Sequence, residues 1–466
     1  MAEFDFVLNY TLIQQTPYIH FQPDETEAIL RATEVKPKLD KFLINLKGGW
    51  SKVSPSWKAG GENTALDYKM QFKAKNLLAK SETREYQRQL RRAGNDKTIR
   101  GMIKRQYANK LINGMFFANM APKSGCSDEE FEETLSKYKE AVFYDEVLLK
   151  IVCLNDELRE FIAANIRLFF LLNNFGCRQS KGFGGFILDG SQEEDYKVLE
   201  TYLINQSVAS FYAEFEQQHF DGHPQRADQL LKYVKIVYSV MKGGINAAHW
   251  KFTVTTNGRL SGSYESEAKY VKGFIQREYL NVIQKDAGSE KEFMKRNVLP
   301  QNFISSFTNR NSVKIQYNNY LFIRVLLGMA DQYEFSDAKI DNYTHKAKSN
   351  TKKVRVFQIE GSDFGIERFK SPLQIKMVHN RVYFILNMPE EVLNKEFCFI
   401  LEEDLKKMDA PKSATAIYQN PNTKKLRSPS TFDTVAFVKN FIRYLDEQKE
   451  KHPDMINRQI NLKIVE

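Results

Sequence analysis

Hydrophobic and polar residues alternate at the start of the chain, in the segment EFDFVLNYTLIQQT. The apolar positions of this alternation are Phe4, Phe6, Leu8 and Tyr10. Such a period of two predicts a half-buried β-strand. After a break at Thr16-Pro17, apolar residues recur at helical spacing, at Leu39, Phe42, Leu43 and Leu46. A strand, a loop and a helix with Pro37 near its start therefore open the fold.

Longer periodic segments follow in the first half of the chain. Glycines and prolines between residues 47 and 75 predict irregular structure or a hairpin. Apolar residues at helical spacing predict helices over 128–172 and 196–242. Near residue 245 the pattern changes to alternating β-branched and aromatic residues, which places a domain boundary there.

The second half mixes both periodicities. The patterns predict a helix over 265–285 and strands in VKIQYNNYLFIRVLLG and RVYFIL. A polar linker is predicted over 409–430, before a last helix over 431–451 with a threonine or serine cap. Together these elements predict a mixed α+β architecture with domains at 1–245 and 246–466.

Composition narrows the class of protein. Of the 466 residues 42% are hydrophobic and 13% aromatic, which excludes a disordered chain. The formal net charge of +10 favours an anionic partner. The four cysteines are far apart and form no CxxC pair, so neither a zinc ribbon nor a disulfide framework is indicated. With no signal peptide and no long apolar run, we expect a cytoplasmic protein without a membrane span, metal or cofactor.

A glycine-rich stretch, NNFGCRQSKGFGGF, covers residues 173–186 and interleaves four glycines with Arg178 and Lys181. Glycine permits close backbone approach and the two cations suit a phosphate. The spacing fails the GxxxxGK[ST] pattern of a P-loop. It also fails the dinucleotide fingerprint, because the loop follows a helix and precedes the extended segment GGFIL. One alternative is a helix-to-strand turn in which the glycines serve packing alone.

The pattern FG-x-R-x-x-x-GFG-x-F of this stretch resembles the glycine-rich loop of the RAMP superfamily, RNA-binding proteins of CRISPR effector complexes. Gly185 stands where many members have serine. Thr16-Pro17, His20 and the basic segment RATEVKPKLDKFL resemble, in that order, the loop and first helix of the family. The length, the insertion before the loop and RFKSPLQIKM in the second half are similar to the first-numbered subunit of the type III-B (Cmr) complex, although no second GFG loop is present.

The resemblance implies a fold and a function. The fold would be two ferredoxin-like (RRM-like, RAMP) domains with helical insertions. The first, over 1–245, carries the glycine loop and a basic insertion, and the second, over 246–466, is divergent. The function would be that of a non-catalytic RNA-binding subunit in antiviral defence. Its expected partners are crRNA, target RNA and the other subunits of the complex, and it would help to capture target RNA or the 3′ end of the guide.

The candidate RNA-binding residues lie in the loop and at the first helix. They are Arg31, Lys36, Gly176, Arg178, Lys181, Gly182, Phe183 and Gly184. Loop N–H groups and the two loop cations are expected to bind phosphates, and Phe183 is a candidate for stacking on a base. Three interpretations of the basic window 84–110 remain open. It is expected to extend an RNA groove, to contact a neighbouring subunit, or to form a solvated helix face.

Two alternatives to this function remain open. His20 and Asp24 occupy positions where some family members carry catalytic residues, which makes a metal-dependent endoribonuclease the rival interpretation. His20 has no second histidine near it in sequence, and Asp24 lies in the acidic loop PDETE. A third class is a protein-interaction subunit without direct RNA contact, whose basic surface meets acidic partner proteins.

Overall fold

The structure, a computed structural model, describes most of the chain outside a few segments. The residues it describes are 6–20, 29–60, 65–80, 92, 94, 141–215, 223–247, 250–254, 260–264, 269–300, 303, 319–329, 331–340, 347–366, 369, 371–408, 413–457 and 459–466. Within these residues helices combine with several antiparallel sheets. The predicted α+β class is therefore confirmed.

The helices occur in both halves of the chain. In chain order they are α1 (Ala32–Leu46), α2 (Asp156–Leu172), α3 (Gln192–Asn205), α4 (His223–Lys242), α5 (Leu280–Ile283), α6 (Glu290–Asn297), α7 (Glu402–Lys406), α8 (Ala414–Gln419) and α9 (Thr434–Lys451). A π-helical turn, Ile275–Tyr279, runs directly into α5. A 3₁₀ turn, Gln179–Lys181, lies inside the glycine-rich stretch.

The strands are mostly short. Those up to residue 264 are β1 (Val7–Gln14), β2 (Tyr18–Ile19), β3 (Lys69–Ala74), β4 (Leu77–Lys80), β5 (Ala141–Tyr144), β6 (Glu146–Val152), β7 (Phe186–Leu188), β8 (Ala209–Glu214), β9 (Gly244–Ala247), β10 (Trp250–Val254) and β11 (Leu260–Tyr264). The later strands are β12 (Lys269–Lys272), β13 (Gly288–Ser289), β14 (Tyr320–Leu321), β15 (Gln332–Ile340), β16 (Ala347–Glu360), β17 (Asp363–Phe364), β18 (Leu373–Val378), β19 (Arg381–Leu386), β20 (Glu396–Leu401), β21 (Lys424–Arg427) and β22 (Leu462–Ile464).

The chain divides into two compact units that interleave in sequence. The first unit comprises Met1–Lys235, Gln374–Ile385 and Gln459–Glu466, and the second comprises Ile236–Leu373 and Leu386–Arg458. The junction near residue 236 lies close to the boundary expected at 245. The first unit, however, also includes residues 374–385 and 459–466 from the second half of the sequence. A single boundary in the chain therefore does not describe the division into units.

The first unit contains a four-stranded sheet in the order β3-β6-β1-β7. Each neighbouring pair is antiparallel, with Tyr10 opposite Leu149 and Ile13 opposite Ile187. The predicted alternation in β1 is confirmed, since Leu8, Tyr10 and Leu12 join one core cluster. That cluster includes the inner faces of α1 and α2, and α2 leads directly into the glycine-rich stretch.

A second four-stranded sheet of the same unit has the order β18-β19-β8-β22. Its residues Tyr383 and Ile385 pack in a core cluster with Ile187 of the first sheet and Leu199 of α3. Asp195 of α3 is fully buried beside this core and pairs with Arg167 and His379. Segment 374–385, which contains all but the last residue of the predicted strand RVYFIL, therefore belongs to the unit that carries the glycine loop.

The second unit is organised around the sheet β15-β16-β20-β21, with β17 attached to β16. The core on this sheet combines aromatic and aliphatic residues, and Phe322 packs edge-on against both Phe397 and Phe399. The last helix, α9, is present as predicted, but it begins at Thr434, three residues after the predicted start at 431. Its capping residue is Asp433, whose carboxylate accepts from the Ala436 N–H, and not a threonine or serine.

Several predicted helices were wrong because strands interrupt them. The segment predicted as one helix over 128–172 contains β5, β6 and α2, with residues 128–140 outside the described part of the chain. The segment 196–242 contains α3, β8 and α4. The expected linker over 409–430 contains α8 and β21. In each case the short strand pairs with partners that are distant in sequence, which a local pattern does not contain.

Candidate nucleic-acid interface

The glycine-rich stretch lies in the first unit, between the end of α2 and β7, as the sequence predicted. Its backbone turns sharply. Gly176, Gly182 and Gly184 have φ values of 75°, 87° and 70°, and Arg178 has φ 61° and ψ 31°. A non-glycine residue in this left-handed region costs about 1 kcal/mol and occurs often at functional sites. The fold therefore holds Arg178 in a conformation that local preference disfavours.

Two of these glycines are required by close packing. A Cβ on Gly176 would lie 2.3 Å from the Ile19 carbonyl oxygen, and one on Gly184 would lie 1.8 Å from the Phe175 carbonyl oxygen. Both obstacles are backbone atoms, which cannot rotate away. The stretch is thus pressed against β2 and against its own first turn.

The N–H groups of four of these loop residues donate hydrogen bonds within the protein. Gly176 donates to a Glu34 carboxylate oxygen, and Gly182 donates to the Gln179 carbonyl at 3.1 Å. Gly184 donates to the Pro17 carbonyl at 2.8 Å, and the Gly185 N–H donates to Thr16 Oγ1 at 2.7 Å. These four groups are therefore not a phosphate cradle.

Side chains of α1 meet the loop along one stripe of the helix. Glu34 accepts from the Tyr18 hydroxyl at 2.9 Å and from the Gly176 N–H. One turn later, Lys38 Nζ donates to the Asn174 carbonyl at 3.0 Å and to Gln179 Oε1 at 2.7 Å. Arg31 lies at the start of the same stripe, and its charge acts against the rise in the pKa of Tyr18 that burial and Glu34 cause.

Four half-buried basic residues lie in the loop or on the elements beside it, and we call them the loop cation group: Arg31, Lys38, Arg178 and Lys181. Burial lowers the pKa of the Lys181 ammonium to about 7. An anion placed beside Lys181 would favour its charged form again, because an opposite charge counteracts the desolvation.

Lys376, which was not a candidate in the sequence analysis, hydrogen-bonds to backbone carbonyls at both ends of the glycine-rich stretch. It is fully buried, and its ammonium donates to the Asn173 carbonyl at 2.7 Å and to the Phe186 carbonyl at 3.1 Å. Burial lowers its pKa to about 7, and the charge of Lys38 acts in the same direction. The segment LQIKM that contains it was noted for its resemblance to the family, but its distance along the chain gave no sign of this contact.

The lysines with lowered pKa values make a prediction about pH. Between about pH 7 and about pH 10 each is protonated in the unfolded chain and largely neutral in the fold, so stability rises with pH across this window. For Lys376 the rise is about 1.4 kcal/mol per pH unit. Thermal unfolding of the wild type should therefore shift upward between these pH values, and Lys376→Met should reduce the shift. Lys150→Met, at an exposed position, is the control and should leave it unchanged.

The remaining candidates lie elsewhere or are covered. Lys36 is on the opposite flank of α1, where its ammonium bonds Asp40 and the Leu66 carbonyl, both at 2.8 Å, and lies over the Tyr68 ring. Phe183 is completely buried, and in this position it has no exposed face on which a base could stack. The structure thus brings Arg31 to the loop but keeps Lys36 away from it.

The residues of the rival nuclease interpretation are only partly described. His20 is buried, its ring lies 6.1 Å from that of Tyr18, and its carbonyl accepts from Cys177 Sγ at 3.7 Å. Asp24 lies outside the described residues, as does the basic window 84–110 apart from Arg92 and Gly94. Among the described residues, no group of three His, Cys, Asp or Glu side chains is arranged to hold a metal ion. In the same part of the chain, no helix is long and apolar enough to cross a membrane.

Comparison with known proteins gives two matches that together cover most of the chain. Residues 6–245 match the family model of the Cmr1 N-terminal domain. Residues 270–462 match that of the Cmr1 C-terminal domain. Neither a curated protein nor a solved structure matches the chain significantly.

Proposed function

The chain belongs to the Cmr1 family, subunits of the type III-B CRISPR (Cmr) complex, and we propose that within this complex it is a non-catalytic subunit that binds RNA through the loop cation group. Its partners would be the crRNA or the target RNA and the neighbouring subunits, in the cytoplasm. The observation that carries the proposal is the convergence of Arg31, Lys38, Arg178 and Lys181 on one glycine-rich turn.

The chemistry of this group suits an RNA backbone better than a particular base. Lysine and arginine bind phosphate oxygens, and arginine does so through two parallel N–H donors. Such contacts set the position of the strand and carry no sequence information. Because Phe183 is buried, the proposal assigns no base stacking to the loop. The subunit would hold RNA of any sequence at this point.

The strand order supports two ferredoxin-like domains as the scaffold. The first sheet has the order β3-β6-β1-β7. If its strands are numbered by their order along the chain, this is 2-3-1-4, and α1 and α2 are the two connecting helices. The second sheet, β18-β19-β8-β22, repeats this order. This is the order of a β-α-β-β-α-β ferredoxin-like unit. On this proposal both domains contribute their sheets to the first unit, and the residues inserted into the second domain form much of the second unit.

A non-catalytic role fits the histidine of the loop region. RNA cleavage without a metal needs a base within hydrogen-bond reach of the 2′-hydroxyl and an acid for the leaving oxygen. His20 is buried, so its ring offers little surface to an RNA strand. Asp24→Ala is the variant that tests the rival, since metal-dependent cleavage of RNA lost in that variant would make the protein a nuclease.

The double variant Arg178→Ala plus Lys181→Ala tests the proposal. Losing two phosphate contacts should weaken binding of a labelled single-stranded RNA about tenfold at low salt. It should also reduce the slope of log affinity against log salt by roughly one to two. Fluorescence anisotropy across a salt series, with and without Mg²⁺, measures both quantities and reports cleavage in the same samples.

The matched control removes the same charge from another surface of the first unit. Lys73 of β3 and Lys150 of β6 are exposed on the four-stranded sheet, away from the loop contacts described above. Lys73→Ala plus Lys150→Ala should leave the affinity within about twofold of the wild type. An equal loss in both double variants would mean that RNA binds through general charge, and wild-type affinity in the loop variant would remove the loop from the RNA site.

A further inference from the structure

A cavity of about 460 Å³ lies wholly within the second unit and takes no part in the function proposed above. Residues of β12, the π-helical turn, α5 and α6 line it. Its volume is in the range of pockets that hold small organic ligands and exceeds what a single phosphate ion fills. A π-helical turn is rare in proteins and is found frequently at functional sites.

Cations outnumber carboxylates on the walls of this cavity. The cations are Lys272, Arg277, Lys291 and Lys295, and the carboxylates are Asp286 and Glu292. Glu292 is already engaged, because its Oε2 accepts from the Ser289 N–H at 3.2 Å in the capping box of α6. The lining therefore carries excess positive charge toward the space it encloses.

Two of these cations repel each other. Lys291 and Lys295 are four residues apart on α6, where side chains share one face, and a like-charged pair at this spacing destabilises a helix. Burial lowers the pKa of both ammonium groups. For Lys291 the nearby charges of Lys295 and Arg324 lower it further and Glu290 acts in the opposite direction, while for Lys295 the charge of Glu292 acts against the lowering. A bound anion would relieve this repulsion between the two ammonium groups.

The cavity also offers groups that suit a nucleoside. Tyr270 lines it with 42% of its surface exposed, so its ring is available to a planar partner. The Gln276 side chain on the opposite element is held in place, since its Nε2 donates to Glu290 Oε1 at 3.0 Å. Glu290 is fully buried and lies 3.7 Å from Arg324 Nε, which fixes the wall behind Gln276.

We propose that this cavity binds a single phosphorylated nucleotide, with Lys291 and Lys295 on the phosphate and Tyr270 against the base. The nucleotide is either free or the 5′-phosphorylated end of an RNA strand, because both present the same chemistry. The site is separate from the loop cation group, and its residues all come from the second unit. It adds a second recognition point, one for a nucleotide unit, to the backbone contacts of the first unit.

Titration calorimetry on the full chain tests this assignment with probes that differ in one feature. The probes are uridine monophosphate, uridine, inorganic phosphate, and a short RNA with either a 5′-phosphate or a 5′-hydroxyl. We expect the monophosphate to bind at least about tenfold more tightly than phosphate or uridine, because only it meets both the cations and the ring. Tighter binding of the 5′-phosphorylated RNA than of the monophosphate would identify an RNA end as the source, and the reverse order would identify a free nucleotide.

Variants connect the binding to the cavity. Lys291→Ala plus Lys295→Ala should weaken the monophosphate at least about tenfold, and Tyr270→Ala should weaken it about fivefold while leaving inorganic phosphate unchanged. Lys439→Ala plus Arg443→Ala is the matched control, since it removes an exposed cation pair of the same spacing from α9, outside the cavity lining. Hydrogen exchange on α6 peptides checks that each variant is folded.

Three affinity results would overturn the assignment. They are equal affinity for phosphate and the monophosphate, an equal loss in the control variant, and the absence of binding by any phosphorylated probe. Capture of a glutamate-rich peptide in place of the nucleotide would also overturn it and make the cavity a protein-docking site. None of these results depends on the loop, because Arg178→Ala plus Lys181→Ala leaves every residue of the cavity in place.

Discussion

Gly184→Ala should destabilise the first unit by more than about 4 kcal/mol, a large share of the stability of an ordinary domain. The added methyl group would lie 1.8 Å from the Phe175 carbonyl oxygen, at a φ of 70° that alanine disfavours. Relieving the clash moves Gly184 away from Phe175, whose N–H donates to the Gly184 carbonyl at 2.9 Å. The same movement disturbs the hydrogen bond from the Gly184 N–H to the Pro17 carbonyl at 2.8 Å. Hydrogen exchange of peptides from β1 and α2 should lose most of its protection.

Gly48→Ala is the matched control for this substitution. Gly48 has a φ of 85°, close to that of Gly184, but the nearest atom to its added Cβ is Lys52 Cγ at 3.9 Å. The control therefore isolates the backbone strain, about 1 kcal/mol, from the steric clash. Similar losses in the two variants would contradict the close packing of the loop against Phe175.

This packing explains both the success and the limit of the sequence reasoning on the loop. The end of the helix predicted over 128–172 and the extended segment GGFIL match α2 and β7, because these patterns are local, although β5 and β6 occupy the earlier part of the predicted helix. Glycine was expected to expose N–H groups, whereas the N–H groups of Gly176 and Gly184 bond to Glu34 and Pro17. Glycine at a positive φ serves either purpose, and only the neighbouring backbone decides between them.

The choice among the lysines of α1 depended on where the helix begins. It begins at Ala32, so Pro37 lies inside it, and the buried Val35, Leu39 and Leu43 define its inner face. Positions 31, 34 and 38 then share the stripe that meets the loop, while Lys36 falls on the other flank with Asp40. Starting the helix at Ala32 would have selected Lys38 in place of Lys36 from spacing alone.

The contribution of residues 374–385 could not be found by local patterns. RVYFIL reads clearly as a strand, and it is one, as β19. The local sequence pattern does not indicate that this strand belongs to the same unit as the first part of the chain. It also does not indicate that Lys376, in the preceding strand, contacts the carbonyls of Asn173 and Phe186. Sheet partners and buried ion contacts depend on chain topology, because they join residues that are remote in sequence.

Asp195→Asn should destabilise the first unit by about 3 kcal/mol, since it breaks a buried ionic cluster while changing little in shape. Asp195 is fully buried, with Arg167 Nη1 at 2.6 Å and His379 Nε2 at 2.8 Å. Its charge also favours the charged form of the buried Lys376, acting against the lowering of the pKa of that lysine by burial. Removing the carboxylate leaves Arg167 without its buried anion and removes the negative partner of the contact with His379 Nε2, so the turn between β18 and β19 that contains His379 should open.

The adjacent residue provides the control, because Glu194→Gln makes the same chemical change on the surface. Glu194 is 56% exposed and lies 3.7 Å from Arg167 Nε, so solvent screens the pair and the expected loss is below about 0.5 kcal/mol. Hydrogen exchange of β18 and β19 peptides compares the two variants directly. If Asp195→Asn exchanges as slowly as Glu194→Gln, the buried cluster does not hold this segment in the first unit. A loss of protection in Asp195→Asn alone would show that the carboxylate of Asp195 on α3 holds β18 and β19 in the unit that carries the glycine loop.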